Sequence, residues 1–316
     1  MADWLRYLNI SIQGGQTLTF NADGLRIRFN IKQHSESTPS IADIMITNQA
    51  TAEAKQLVQV SAEYKEVTID AGYPDNHGII FGGNIVRAIY GRENPTDTLT
   101  TIHCQDGGQA HQYAMVNKTF PPGSTPKDHV NAAIQAMSQY GVSLGFVGQS
   151  IDLSTPSYPR SVTLFGLARE VLKRVARLKG AQVSYQQSKV MMVSPTDSNG
   201  GAIELNTNTG LIGMPTLTLG GVLARSLINP QIKVGGSIHI DQSLVQGLLP
   251  QVNEQGEALP YETGTGDQVS VAADGMYTVR RIDYHGDTRG NPWYMDILAL
   301  QPNLNTSETQ AASVRN

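Results

Sequence analysis

The sequence predicts a mainly β protein with an α+β insertion, and three observations predict it. Both ends of the chain are written in short alternating runs closed by Gly, Asn, Pro and Asp, the punctuation of antiparallel sheets. One hairpin is written twice. Val86-Arg87-Ala88-Ile89, a turn with Asn94-Pro95 and the run Thr98 to Ile102 return as Val279-Arg280-Arg281-Ile282, a turn with Asn291-Pro292 and the run Tyr294 to Leu298. Between them, residues 105–195 change from a period of two to a period of 3.6. A doubled hairpin suggests two similar β domains. Coincidence is the alternative, because strands are short and use few residue types.

Within 1–104 the expected strands are Leu5 to Ile12, Gln16 to Phe20, Leu25 to Ile31, Ile41 to Thr47, Val67 to Gly72 and Ile79 to Ile89. Leu25, Ile27, Phe29 and Ile31 alternate with Arg26, Arg28 and Asn30, the pattern of a strand with one wet face. Ala54, Leu57 and Val58 have helical spacing, so 51–59 reads as one short helix. After Gln105, Ser124-Thr125-Pro126-Lys127-Asp128 writes a helix start: hydroxyls for the first amides, Pro in the first turn and an acid on the positive end of the dipole. Val130, Ile134 and Met137 follow on one face, Gly141 stops the helix, and Val142 to Val147 reads as a strand. The unit recurs as a helix from Leu167 to Leu178, Gly180, and strands at 182–186 and 190–194. Strands are expected again at 202–205, 216–227, 232–240 and in a closing hairpin at 276–300. The stretch 250–268 reads as a long polar loop. The four expected parts are 1–104 (β), 105–195 (inserted α+β), 196–302 (β) and 303–316, a polar tail expected to be disordered.

The residues that would carry chemistry do not form a pattern. Net charge is −4, with no basic block of the kind that grips duplex DNA. Lys173, Arg174, Arg177 and Lys179 give one helix a basic face, which reads as a solvated surface near a helix C-terminus. The single cysteine, Cys104, excludes an internal disulfide and fits assembly in a reducing cytosol. His103 and Cys104 adjoin, with His77 and His111 near in sequence, but strand neighbours point to opposite faces, so a buried structural thiol is expected rather than a metal ligand. No serine elbow, HExxH or catalytic carboxylate pair is present, and the Gly pairs lack the helix a phosphate turn needs. The expectation is therefore no catalytic, cofactor-binding or metal residues, no cofactor and no enzyme activity. The N-terminus carries no signal-peptide pattern and no run is long enough to span a bilayer, so no integral membrane contact is expected. Arg87 and Arg280 hold like places in the two written hairpins and are the candidate subunit-interface residues.

Three stretches resemble the baseplate (tail) hub proteins of tailed bacteriophages and prophage tails. They are Ala71 to Tyr73 with Gly78 to Ile85 and Gly91 to Thr98; Gly123 to Pro126; and Gly221-Val222, Leu227 to Pro230, Ile232 and Gly235 to Ile238, closing with Tyr277 to Val279 and Trp293. The resemblance spans about residues 20 to 302 and rests on scaffold patterns rather than a site motif. It implies that 1–104 and 196–302 are two tube-type β-barrel domains with small α/β modules between them. It also implies a homotrimer whose six barrels adapt a six-fold tail tube to a trimeric central spike. The implied partners are the spike protein, the tube or tube-initiator protein and the tape measure protein, with DNA only as passing cargo. The implied location is the virion tail baseplate, assembled in the host bacterial cytoplasm. A spike-type or secretion-system hub is the nearer alternative, and would extend into a long repetitive β-helix. A tail-associated cell-wall hydrolase is the further one.

Overall fold

Alternation decides the first strands. The computed structural model describes residues 5–13, 18–21, 24–59, 64–194, 197, 200–218, 221–241 and 275–301. Leu8, Ile10 and Ile12 point into the core from β1 (Tyr7–Ile12), which pairs with the short β2 (Leu18–Asn21). Ile27, Phe29 and Ile31 do the same from β3 (Arg26–His34), and Ala42, Ile44 and Ile46 from β4 (Ile41–Thr47). Each buried Ile contributes roughly 1.5–3 kcal/mol relative to exposure. Helix α1 (Thr51–Val58) buries Ala54 and Leu57, and β5 (Glu66–Tyr73), β6 (Asn76–Arg92) and β7 (Thr98–Gln105) complete the first region.

The insertion has its own core, centred on Val130, Met137, Leu172, Tyr185 and Met192. Its elements are α2 (Gly108–Tyr113), β8 (Met115–Phe120), α3 (Pro126–Ser138), β9 (Ser143–Val147), β10 (Val162–Leu167), α4 (Ala168–Leu178), β11 (Gln182–Gln186) and β12 (Lys189–Val193). The expected start of α3 is a capping box. The Asp128 carboxylate accepts the Thr125 backbone N–H at 2.8 Å and its hydroxyl at 2.9 Å, with Pro126 in the first turn. β8 pairs with β10, and β11, β12 and β9 form a second small sheet. Three of these elements, α2, β8 and β10, were not among the expected ones. Leu167, expected to open the second helix, instead ends β10.

In the last region β13 (Ile203–Glu204), β14 (Leu211–Thr218), β15 (Gly221–Ser226), β16 (Ser237–His239), β17 (Met276–Asp287) and β18 (Trp293–Leu300) follow. The single strand expected over 216–227 is two, an antiparallel hairpin of β14 and β15. Gly221 begins the second at φ +122°, where a Cβ would stand 2.4 Å from the Ala299 carbonyl oxygen. The strand expected over 232–240 shrinks to β16. The loop expected at 250–268 and the tail at 303–316 lie outside the described residues.

Most strands join one 13-stranded sheet, ordered β14-β15-β18-β17-β3-β4-β7-β6-β5-β1-β2, with β16 also on β17 and β13 on β16. β3 lies along β17, so the first and last regions share a ladder across the bounds expected at 104 and 196. Phe29 fits against Gly286, where a Cβ would come within 2.2 Å of its ring, and meets Trp293 edge-on at 5.5 Å. The sheet rolls over its core until Trp293 donates its indole N–H to Gly72 at 3.2 Å. The hydrogen-bonded path ends at β14 and β2, and closure into a barrel is not seen among the described strands.

Candidate functional site: a doubled sheet unit and its open face

The two hairpins carry the same ladder. In the first, Asn84 faces Gln105 and Ile85 faces Cys104; Val86 is unpaired; six pairs then run from Arg87 opposite His103 to Arg92 opposite Thr98. In the second, Thr278 faces Leu300 and Val279 faces Ala299; Arg280 is unpaired; six pairs run from Arg281 opposite Leu298 to Gly286 opposite Trp293. Each is a one-residue bulge at the same rung.

The likeness extends to the neighbouring strands. Glu66, Val67 and Thr68 of β5 face Asn84, Gly83 and Gly82, as Ser237, Ile238 and His239 of β16 face Thr278, Tyr277 and Met276. The backbone of Ile85 accepts from Tyr64 and donates to Lys65, as that of Val279 accepts from Gly235 and donates to Gly236. On the other side Ala42, Asp43 and Ile44 of β4 face Cys104, His103 and Ile102, as Val222, Leu223 and Ala224 of β15 face Ala299, Leu298 and Ile297. Ile31 of β3 faces Ala42 as Leu217 of β14 faces Val222. The chain therefore holds two copies of one five-strand unit, β3-β4-β7-β6-β5 and β14-β15-β18-β17-β16, with the same connectivity and polarity, and with the same register over the rungs beside the bulge.

Register shows what matching letters did not. By rung, Arg87 corresponds to Arg281, and Arg280 to Val86, one residue away from the alignment the sequence suggested. Arg87 is exposed on β6, whereas Arg280 is 7% exposed and reaches Gln182 Oε1 of the insertion at 3.3 Å. Burial holds its guanidinium below the ordinary arginine range. The sequence-chosen pair thus occupies two different environments.

The face of the sheet turned away from the core carries a series of ion pairs, with exposed apolar residues such as Ile41 and Leu223 among them. Arg225 grips Asp296 at 2.7 and 3.1 Å and lies over the Tyr294 ring at 4.2 Å. Arg281 pairs with Asp283 at 2.6 Å, Arg28 with Glu93 at 2.7 Å and Arg26 with Asp287 at 2.7 Å. Burial raises the Asp287 carboxyl, but the Arg26 guanidinium and the Arg289 backbone N–H more than offset it, so it stays below the usual range. The Asp43 carboxylate lies 2.6 Å from His103 Nδ1, and Asn30 Oδ1 lies 3.0 Å from His285 Nδ1. Lys32 and Arg87 stand outside these ion pairs.

The family model described as baseplate hub gp41 matches residues 9–255. The chain belongs to that family. No curated protein matches it in sequence. Among solved structures it is similar to the 43 kDa tail protein of prophage MuSo2 from Shewanella oneidensis, at 9% identity and TM-score 0.59, covering 95% of this chain and 98% of that one. A tail protein from Neisseria meningitidis MC58 is similar at 7% identity and TM-score 0.57, covering 94% and 97%. The E. coli c3393 protein, a type VI secretion component described as similar to the T4 tail proteins gp27 and gp5, shares the fold at 12% identity and TM-score 0.54, covering 92% and 76%.

The other residues singled out in this baseplate hub chain lie apart. Cys104 is buried, which pushes its thiol far up from the ordinary range, while His103 turns to the opposite face. No group of three His, Cys, Asp or Glu side chains stands within metal-binding reach among the described residues. On α4, Lys173 pairs with Glu170 at 3.6 Å, Lys179 donates to the Thr155 carbonyl, and Lys173 and Arg177 line an open cavity of about 330 Å³ with Glu36 and Gln182. No described helix is long and apolar enough to cross a membrane.

Proposed function

We propose that this protein is a structural hub of a phage tail baseplate, three copies of which close a ring of six sheet units around a DNA channel. The observation that carries the reading is the doubled five-strand unit: two units per chain need three chains for a six-fold ring. Such a ring presents pseudo-six-fold symmetry to a tail tube or tube initiator, and true three-fold symmetry to a trimeric central spike. The tape measure protein is the further partner, and assembly takes place in the host cytoplasm before the hub enters the virion.

The open face of the sheet lines the channel in this arrangement. Its cations are mostly paired with carboxylates, so passing DNA meets a surface without the unpaired basic density that grips phosphates. The protein works by binding, and no catalytic residue is assigned. Native mass measurement, alone and with the neighbouring tail proteins, tests the reading. Three copies per complex are expected, and a stable dimer or a six-chain ring would contradict it. A lytic zone on a cell-wall zymogram would favour a tail-associated hydrolase instead.

A further inference from the structure

Among the described residues, one half of β6 in the first unit has no strand on its outer edge. β5 covers β6 only from Asn76 to Asn84, and among the described residues the ladder bonds of Val86 to Arg92 go to β7 alone. In the second unit the corresponding half of β17 is covered. Asp283 faces Lys32, Tyr284 faces Ile31 and His285 faces Asn30, so β3, the outer strand of the first unit, has been added to the edge of the second. The outer strand of the second unit is β14, which ends the path, and no strand lies on its far edge among the described residues. One copy thus contains the unit-to-unit joint once and leaves both halves of that joint unused.

We infer that the free edge of β14 in one copy adds, antiparallel, to the open half of β6 in the next, repeating between chains the joint that β3 and β17 make within one. This deepens the trimeric hub reading and rests on it. Carrying the β17–β3 register through the unit equivalences sets the rungs: Ile89 faces Thr218 of the next copy, Tyr90 faces Leu217 and Gly91 faces Thr216. The side chains fit. Tyr284 and Ile31, the pair that Tyr90 and Leu217 would reproduce, are 2% and 0% exposed, whereas Tyr90 and Leu217 are only half-buried in the single chain. Val86 and Ile89 on one edge and Ile212 and Met214 on the other are apolar and 40% exposed or more. The irregular ladder between Ile212 and Thr216, with Pro215 inside it, blunts the β14 edge against indiscriminate pairing. Residues Thr216 to Thr218 remain regular. Three such joints between copies and three within them close a ring of six units, and closure leaves neither edge exposed.

The test is a disulfide across the seam. In the full chain carrying Cys104→Ser, to remove the native thiol, Ile89→Cys and Thr218→Cys place opposed strand residues about 4.5–5.5 Å apart at Cα, within disulfide reach. Ile89→Cys with Thr216→Cys is the diagonal control, too far apart at Cβ to bridge. Native mass is recorded first, for the protein alone and with the neighbouring tail proteins, and thermal melting of the reduced chain confirms that each variant folds. Oxidation is expected to give a covalent trimer on non-reducing gels, with about tenfold more product than the diagonal control. A trimer by native mass without that cross-link overturns the seam and leaves the trimeric hub standing. Cross-linked dimers alone, or open chains longer than three, overturn the ring-closing seam. A chain that stays monomeric even with its tail neighbours overturns the seam and the trimeric hub together.

Discussion

At the bulge of the first unit Val86 stands exposed on β6; at the bulge of the second, Arg280 lies buried against Gln182 of the insertion. The rungs around the two are the same. The same contrast holds at Tyr90, half-buried at an edge with no described strand beside it, and Tyr284, buried where β3 pairs alongside. The backbone ladder of the unit is indifferent to what covers it, whereas each side chain is suited to its cover. Equivalent rungs should therefore respond alike to substitution where both are buried, and unlike where only one is.

The largest difference is expected between the tyrosines. Tyr284→Ala should cost about 3–5 kcal/mol in the isolated chain, because it empties a site closed on all sides. Tyr90→Ala should cost within about 1 kcal/mol there and weaken assembly instead. Urea denaturation and native mass separate the two effects, and equal stability losses would break the contrast. Next come Ile102 and Ile297, equivalent and both fully buried. Each Ile→Ala change should cost about 2–5 kcal/mol. Costs at opposite ends of that range would mean the unit cores are not alike.

The strand after each hairpin sharpens the comparison further. β18 leads to Gln301, while β7 leads into the insertion through Asp106, whose Oδ1 accepts the Ser188 N–H at 2.8 Å. Burial pushes the Asp106 carboxyl up to about 7, against the pull of the Ser188 and Gln187 amides. A raised acid binds its proton more tightly folded than unfolded, so its contribution is greatest at low pH and is lost as pH rises from about 4 to about 7. Asp106→Asn should flatten that slope and raise stability at pH 8 by about 1–3 kcal/mol relative to the parent. Urea midpoints at pH 5 and pH 8 check it, and an unchanged slope would remove Asp106 from the account. The smallest effect is at the bulges. Gln182→Ala should cost about 1 kcal/mol by leaving Arg280 with less hydrogen bonding, and Val86→Ala should stay within about 0.5 kcal/mol.

How far these features could be read from the chain varied with the kind of signal. Leu25 to Ile31, Ile41 to Thr47 and the Thr125 to Asp128 helix start carry a full period or a complete cap, and each formed the expected element. The doubled hairpin was visible in letters, but one residue out of register, because the Val-Arg-x-Ile letters match at Val86 and Val279 whereas the pairing sets Val86 level with Arg280. The doubled unit around it was hidden. β14 carries Gly213 and Pro215 where β3 carries clean alternation, and β16 is three residues long where β5 has eight, so equal pairing comes from unlike sequences. The open edge of β6 left no trace in composition, since it depends on where β5 stops pairing.

Density for the assembled hub, viewed down the channel at a resolution that separates strands, tests the central claim most directly. Six five-strand units from three chains are expected around the channel, with Asp43, Asp283 and Asp296 facing the lumen and Tyr90 of each chain beside Leu217 of the next. A ring with one unit per chain, or one whose charged face points outward, would contradict it.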